Sequence, residues 1–403
     1  MQKDLRIPIV SDVSNNARAI WNVFLPLFVI HCMEQIYFVY GNVLQNYELS
    51  PQAIGWVLSV FFLAIMYMRP VGSLLLENIG VRNTLFIGGV IGVVGGMVLF
   101  FARSVPSLLL GRALTGASFG IYTIGLFSYQ ALAIPDEIRG AAFAIIVTGG
   151  ILPSATVTPI GEWMILNAHT GLYLSMGPVF CLLCIYLARR LDVPVAVEKR
   201  GGRRKTWGRY RDLLALRSFR MLVTTGVMIS LVDASVVCIS MLAAERGLIA
   251  SFYLASGAVF AVIVRTAGAH MLNLMPRRLF FAPCGILMAS ALFLVSVAPS
   301  NTMFLVTGAF FGVGIGIVFP TLLSLVSDLL PAELRPKGVA FALLAYDCGW
   351  ILTPLIVGYF SSVLGSAWTF RLLSLASLSA LIALQFLYWV PHVLGQKPDH
   401  AVR

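Results

Sequence analysis

Stretches of mostly apolar residues, each long enough for a helix to cross a bilayer core, recur along this 403-residue chain between short polar breaks. About twelve can be placed, at roughly 19–42, 52–76, 83–102, 106–133, 139–164, 170–190, 218–242, 249–272, 278–298, 302–330, 336–363 and 367–391. The composition agrees: 59% of the residues are hydrophobic, 11% are charged and the mean hydropathy is +0.90. Soluble domains carry about 25% charged residues. The short alternating segments of a membrane β-barrel do not occur, so an all-α integral membrane protein with 12 transmembrane helices is expected. The first apolar run is not followed by a small-residue cleavage site and reads as a retained helix.

The net charge of +11 is concentrated, which weighs against nucleic acid as a partner. Residues 189–220 alone hold eleven Lys and Arg against Asp192, Glu198 and Asp212. The other basic positions fall in alternate loops: Lys3, Arg6, Arg18, Arg82, Arg139, Arg277, Arg278, Arg335, Lys337, Lys397 and Arg403. Cytoplasmic loops collect Lys and Arg, so both termini and the central basic segment are expected to be cytoplasmic. Six cysteines, at 32, 181, 184, 238, 284 and 348, all lie inside apolar runs and form no disulfide framework. Cys181 and Cys184 make a CxxC in mid-helix, without the βαβ setting of a redox motif.

The chain also repeats itself. Arg69, Ser73, Glu77 and Arg82 are each followed 196 positions later by Arg265, Ala269, Asn273 and Arg278. Gly116, Gly120, Pro135, Glu137 and Arg139 are matched at the same offset by Gly312, Gly316, Pro331, Glu333 and Arg335. "GAAFA" from Gly140 meets "GVAFA" from Gly338 after a two-residue shift. Two pseudo-symmetric six-helix halves in the same orientation follow, 1–190 and 218–403, joined by the basic linker 191–217. Glycines at four-residue steps (Gly88, Gly92, Gly96; Gly116, Gly120; Gly308, Gly312, Gly316) make small-residue faces for close helix approach, either sliding or statically packed.

These residues resemble the major facilitator superfamily over the whole chain, and within it the twelve-helix drug:proton antiporter-like branch. Its loop signature between helices two and three is met by Arg69, Pro70, Ser73, Glu77, Gly80 and Arg82, with Ser and Glu where Gly and Asp are usual. The fourth-helix signature is met by Arg112, Gly116, Ser118 and Gly120, and helix eleven matches through Asp347, Gly349, Pro354 and Gly358. The fifth-helix antiporter signature is not met: "TGGILPSATVTPIGEW" has the glycines and prolines at other spacings. The resemblance implies a secondary transporter working by alternating access, with Arg69, Ser73, Glu77, Gly80, Arg82, Arg139 and Arg265 as a cytoplasmic gate. For Arg82 and Arg139, anchoring at the cytoplasmic face is the competing role.

A charge inside a membrane costs several kcal/mol, so Glu34, Arg112, Asp233 and Asp347 are expected to face a cavity or a partner. Helix rise of about 1.5 Å per residue puts Glu34, Arg112 and Asp233 at similar depth, in the outer half of the core. Glu34 and Asp233 are the candidate proton carriers, with Arg112 favouring the ionised form of whichever it approaches. A static buried ion pair is the alternative. Within "FVIHCMEQIYFVY", His31, Cys32, Met33 and Glu34 point around the helix and cannot converge on one metal, whereas His31, Glu34, Gln35 and Phe38 share a face.

His31, Gln35, Tyr37, Tyr122 and Asp347 are therefore the candidate cavity residues. Trp163 and Trp350 are aromatic candidates that an interfacial role would explain equally well. The expected function is proton-coupled export of a small cationic or zwitterionic molecule by a monomer in a bacterial inner membrane, among lipids, without cofactor or metal. An uncoupled facilitator or proton-symporting importer is the alternative, and a non-transporting sensor a more distant one. Histidines 31, 169, 270, 392 and 400 are too scattered for a membrane-embedded enzyme.

Overall fold

The computed structural model describes residues 17–134, 139–191, 210–267, 277–331 and 334–391, and every regular element among them is helical. Lys3, Arg6, Pro135, Glu137, most of the basic linker, Ala269, Asn273, Glu333, Lys397 and Arg403 lie outside the described residues, as does the side chain of Arg139. The helices are α1 Ala17–Gln35, α2 Tyr40–Asn46, α3 Pro51–Phe101, α4 Val105–Ala133, α5 Arg139–Gly149, α6 Leu152–Leu166, α7 Thr170–Arg190 and α8 Tyr210–Ala215. They continue as α9 Arg217–Asp233, α10 Ile239–Glu245, α11 Ala250–Ala267, α12 Arg277–Val297, α13 Asn301–Leu329, α14 Arg335–Leu364 and α15 Ser366–Leu384. Among the described residues, nine helical stretches are long and apolar enough to cross a membrane. Large apolar side chains such as Trp56, Phe101, Val363 and Leu387 are exposed on them, as a lipid-facing surface requires.

The chain forms two compact units, Met1–Tyr37 with Leu63–Arg203, and Phe38–Phe62 with Arg204–Arg403. The second unit thus takes in α2 and the first turns of α3. There Gly55 lies against the backbone of Pro354 and Gly358, and the Ser59 hydroxyl donates to the Ile351 carbonyl at 2.7 Å.

Three sequence features shape the helices. Gly80, at φ 77° and ψ 172°, interrupts the 51-residue α3 in a conformation that side chains with a Cβ avoid. This is the glycine of the loop signature. The fifth apolar run is broken in two: Gly149 and Gly150 favour no helix, and Pro153 supplies no amide hydrogen, so α5 ends and α6 starts afresh at Leu152. The first and seventh runs both tighten near their middle. A 3₁₀ turn at Ile36–Val39 links α1 to α2, and another at Ala234–Val237 links α9 to α10, 198 positions further on.

The internal repeat is therefore present in the backbone, and it extends to packing within each unit. Gly120 on α4 closes on Ile65 and Met68, and Gly316 on α13 closes on Ala261 and Val264, each of these residues 196 positions after its counterpart. On α13 the glycine face continues through Gly308 and Gly312, which meet Tyr253 and Gly257 of α11. Within this unit that face is packed closely on one neighbour, as a small-residue stripe in lipid allows.

Substituting Gly312 by Val should lower the thermal unfolding midpoint in detergent, by an amount in line with about 1–3 kcal/mol of over-packing. Gly226→Ala should leave it nearly unchanged, because the added methyl would meet only a Leu322 methyl at 3.6 Å. Differential scanning fluorimetry on the purified variants measures both.

Candidate functional site

In the first unit, the candidate residues cluster where α1 gives way to its 3₁₀ turn. The His31 Nδ1–H donates to the Leu27 carbonyl at 2.8 Å, which leaves Nε2 as the basic atom of the ring. That Nε2 lies 3.9 Å from Glu34 Oε2, and both side chains are nearly buried. The His31 ring also stands edge-on to Phe119, with centroids 5.0 Å apart.

Gln35 is engaged in a different way. Its Nε2 donates to the Gly150 carbonyl at 2.5 Å, its Oε1 accepts from the Ser154 hydroxyl at 2.7 Å, and its own carbonyl accepts from Thr158 Oγ1 at 3.0 Å. These bonds go to the α5–α6 junction, where the glycine–proline break leaves carbonyls without helical donors. Tyr173 performs a similar service for the 3₁₀ turn, donating to the Ile36 carbonyl at 2.9 Å.

Arg112 on α4 is 2% exposed, and its guanidinium lies over the Tyr37 ring, 5.2 Å from the centroid. Tyr37 in turn meets Tyr173 edge-to-face at 6.3 Å. Tyr122 is fully buried and donates to the Cys184 carbonyl at 3.0 Å, so it braces α4 against α7. The sequence reading overlooked Glu162 on α6, which is 1% exposed. The residue before it, Gly161, packs against Ile36 and Tyr173, in the same neighbourhood as Tyr37 and Arg112. An acid inside the fifth apolar run was the available signal.

Among the loop-signature residues, Ser73 and Glu77 are exposed, Arg69 is half-buried, and the exposed Arg82 donates to the Leu191 carbonyl at 2.7 Å. Arg139 begins α5.

In the second unit, Asp233 ends α9 and is 7% exposed. Tyr346 of α14 donates its hydroxyl to Asp233 Oδ2 at 3.0 Å, and the Trp350 side chain, a donor only, lies near the same carboxylate. α9 and α14 are tied on either side: Ser230 donates to the Tyr346 carbonyl, and Thr353 donates to the Leu231 carbonyl at 2.8 Å. Trp350 packs against Phe62 and Phe38, at 4.9 and 6.3 Å between centroids. Asp347, half-buried, interacts electrostatically with Tyr346.

Arg265, assigned to the gate by resemblance, belongs with this group. It donates to the carbonyls of Gly316 and Ile315, at 3.2 and 3.4 Å, and interacts electrostatically with Asp233 and Tyr346. Helix rise explains the placement. Counted from the ends of α10 and α11 that face the same side, Asp233 and Arg265 lie about 18 Å and 22 Å deep, nearly level.

The repeat now identifies a pair that sequence matching alone did not. At the offset of the two 3₁₀ turns, Gln35 corresponds to Asp233. Each sits just before its turn, and each hydrogen-bonds the matching partner segment, α5–α6 or α14. One is a neutral amide and the other a carboxylate. Among the described residues, no group of three or more His, Cys, Asp and Glu side chains is placed to hold a metal ion.

The Major Facilitator Superfamily model matches residues 17–267 and 239–402. The chain belongs to the major facilitator superfamily. It is a transporter and not an enzyme, and an integral membrane protein. Among individual relatives, a facilitated trehalose transporter of Drosophila willistoni is 32% identical over 115 residues, which is 28% of this chain and 12% of that protein. The chain thus spans only a small part of the length of the curated relatives it matches. Among solved structures, a POT family transporter in complex with 5-aminolevulinic acid has a TM-score of 0.78 at 12% identity, covering 94% of this chain and 97% of that one. A bacterial homologue of the human lysosomal transporter Spinster, inward-facing and unoccupied, has a TM-score of 0.74 at 14% identity, covering 96% and 99%. At these identities the structures share the fold.

The Gln35 clamp generates a stability prediction. Gln35→Ala should destabilise the purified protein by about 1–3 kcal/mol through unpaired buried groups at the α5–α6 junction. Gln35→Glu should be worse than Gln35→Ala at neutral pH, because it replaces the amide donor facing the Gly150 carbonyl with a second acceptor. Thermal unfolding in detergent compares the two.

Proposed function

We propose that this chain is a proton-coupled secondary transporter of a small polar organic molecule, with Asp233 as the group whose protonation is tied to substrate occupancy. The observation that carries the reading is the contrast between equivalent positions: a buried carboxylate at Asp233, and at Gln35 an amide that cannot ionise. A carboxylate accepts about four hydrogen bonds. Tyr346 takes one and Trp350 stands near enough to take another, which leaves acceptor capacity for a substrate hydroxyl or ammonium group, or for a proton.

Trp350, Phe38 and Phe62 supply an aromatic wall that suits either the apolar face of a sugar ring or an organic cation. Arg265 supplies the opposing charge, so that loss of the Asp233 charge on protonation changes the balance at the centre of the unit. His31 and Glu34 form a second proton-holding pair, in the first unit. Resemblance to the antiporter-like branch makes export the first direction to test. Twelve spans in two halves, 1–190 and 218–403, are the topology that goes with this reading. A 51-residue helix broken at Gly80 is long enough for two crossings.

A second reading, uncoupled facilitation of a sugar-like solute, is favoured by the facilitated trehalose transporters among the relatives and by the unmatched fifth-helix signature.

Proteoliposomes loaded with candidate solutes, amino-acid-like, organic-cation and disaccharide, separate the two readings. With an imposed pH gradient, wild-type flux should be driven uphill. Asp233→Asn should lose that drive by 10-fold or more while retaining exchange between equal substrate pools, and Glu34→Gln should show a smaller loss. pH-driven flux intact in both variants would end the proton-carrier assignment. Downhill trehalose flux indifferent to pH would select facilitation. Tyr346→Phe should keep coupling but weaken substrate binding several-fold, as expected for the loss of one hydrogen bond to a charged group.

A further inference from the structure

A cavity of about 600 Å³ opens at one end of the second unit, away from Asp233, and is lined by Arg217, Ser218, Arg278, Asp328, Tyr388 and Leu387, with Leu329 and Pro391 at its edge. Its position is set by where helices stop. Arg217 opens α9, Arg278 lies in the first turn of α12, Leu329 closes α13, and Tyr388 and Pro391 end the chain segment after α15. Four membrane-crossing stretches thus terminate around one hollow, at the level where a bilayer changes from acyl chains to headgroups. In sequence Arg217 closes the basic linker, which assigns this end of α9 to the cytoplasmic side by the positive-inside rule.

Among the described residues the lining carries two arginines, Arg217 and Arg278, against one carboxylate, Asp328. Arg217 and Arg278 both act electrostatically on the Tyr388 hydroxyl, and the Arg217 guanidinium stands 5.8 Å from the Tyr388 ring centroid. Arg277, next to Arg278 but outside the lining, bridges Asp328 at 3.4 Å, so the acid of the lining already has a basic partner. The starts of α9 and α12 add the partial positive charge of helix N-termini. Two arginines in the lining against one already paired carboxylate favour an anion, and planar guanidinium groups are matched in geometry to phosphate oxygens.

An unusual piece of backbone builds the apolar side of the cavity. The stretch after α15, Gln385–Trp389, is a π turn. It turns two successive residues inward, Tyr388 at 7% exposure and Trp389 at 0%, with the Trp389 indole donating to Thr225 Oγ1 at 3.1 Å. The two residues before them, Phe386 and Leu387, face outward at 66% and 78% exposure. Extra-residue turns of this kind recur at functional sites. Here it sets a buried phenol beside the two arginines, and exposed apolar side chains at the rim, where acyl chains would lie.

We propose that this cavity binds the phosphodiester headgroup of an anionic phospholipid, with Arg217 and Arg278 holding the phosphate, the Ser218 hydroxyl within the same lining, and the acyl chains lying along Leu387 and Phe386. The site is separate from the transport path and independent of which solute is carried. A soluble phosphate shares the headgroup chemistry but leaves the apolar rim uncovered, and the experiment distinguishes the two.

Full-length protein, delipidated in a neutral detergent, is titrated with phosphatidylglycerol, phosphatidylcholine or inorganic phosphate. The readouts are thermal unfolding and lipid adducts in native mass spectrometry. Phosphatidylglycerol should raise the unfolding midpoint by several degrees and remain bound, whereas phosphatidylcholine and inorganic phosphate should do neither. The double variant Arg217→Gln/Arg278→Gln should bind phosphatidylglycerol about 10-fold or more weakly, roughly the loss of one or two charge-assisted hydrogen bonds. Arg211→Gln, which also removes an arginine but outside the cavity, should not. The double Lys variant should recover part of the affinity. Asp328→Asn, which removes the competing anion, should tighten binding, and this keeps the test decisive if the Gln variant fails to fold. Equal protection by phosphatidylcholine, protection by inorganic phosphate alone, or unchanged affinity in the Gln and Asn variants would each overturn the proposal.

Discussion

Every backbone polar group that a bilayer encloses must find a partner in the protein, and this requirement organises the molecule. Regular helix meets it without help. Wherever the helix is interrupted, a side chain must take over, and those side chains are the ones that gather at the candidate sites. Gln35, held by Ser154, serves the glycine–proline break between α5 and α6, and Thr158 and Tyr173 serve the Gln35 and Ile36 carbonyls at the first 3₁₀ turn. Ser230 and Thr353 do the equivalent work beside Asp233. Local disruption and local polarity thus have one cause, and a solute path can be built only where both are tolerated.

The same requirement separates residues that look alike in sequence. Gln35 and Asp233 occupy matching places in the two repeats, yet the amide's hydrogen bonds are spent on packing, while the carboxylate keeps acceptor capacity beside an aromatic wall. Duplication followed by divergence at one position is enough to leave a structural clamp in one half and an ionisable group in the other. Tyr122 and Tyr346 show a similar division. The first braces helices through a backbone carbonyl, and the second reaches the carboxylate.

Much of the fold was legible in advance because lipid imposes a length and a polarity on each crossing segment, and because the repeat is long and regular. The break in the fifth run could be anticipated from Gly149, Gly150 and Pro153, although the sequence reading drew a single helix there. The site was legible in part. Glu34, Arg112 and Asp233 stand out as charges in apolar runs, but their partners do not: nothing in the spacing reveals that Tyr37 lies under Arg112, or that Tyr346 reaches Asp233. Arg265 was assigned to the gate by family resemblance, and nothing in the spacing shows that it lies near Asp233 and Tyr346. Glu162 was missed because one acid in a long hydrophobic stretch is easily read as belonging to its end.

By itself the sequence determined that this is a helical membrane protein of two like halves with a strongly basic connection, and it marked the few charges that lipid would not tolerate unpaired. Hydropathy and repetition are properties of the chain read in order, so no structure was needed for either. Only the tertiary structure decided which polar side chains are taken up by backbone repair and which keep acceptor capacity. It also decided that four helix ends and a π turn enclose a basic hollow. Those outcomes depend on contacts between residues more than a hundred positions apart, and their physical basis is how helices of given length stop and pack, which composition does not record.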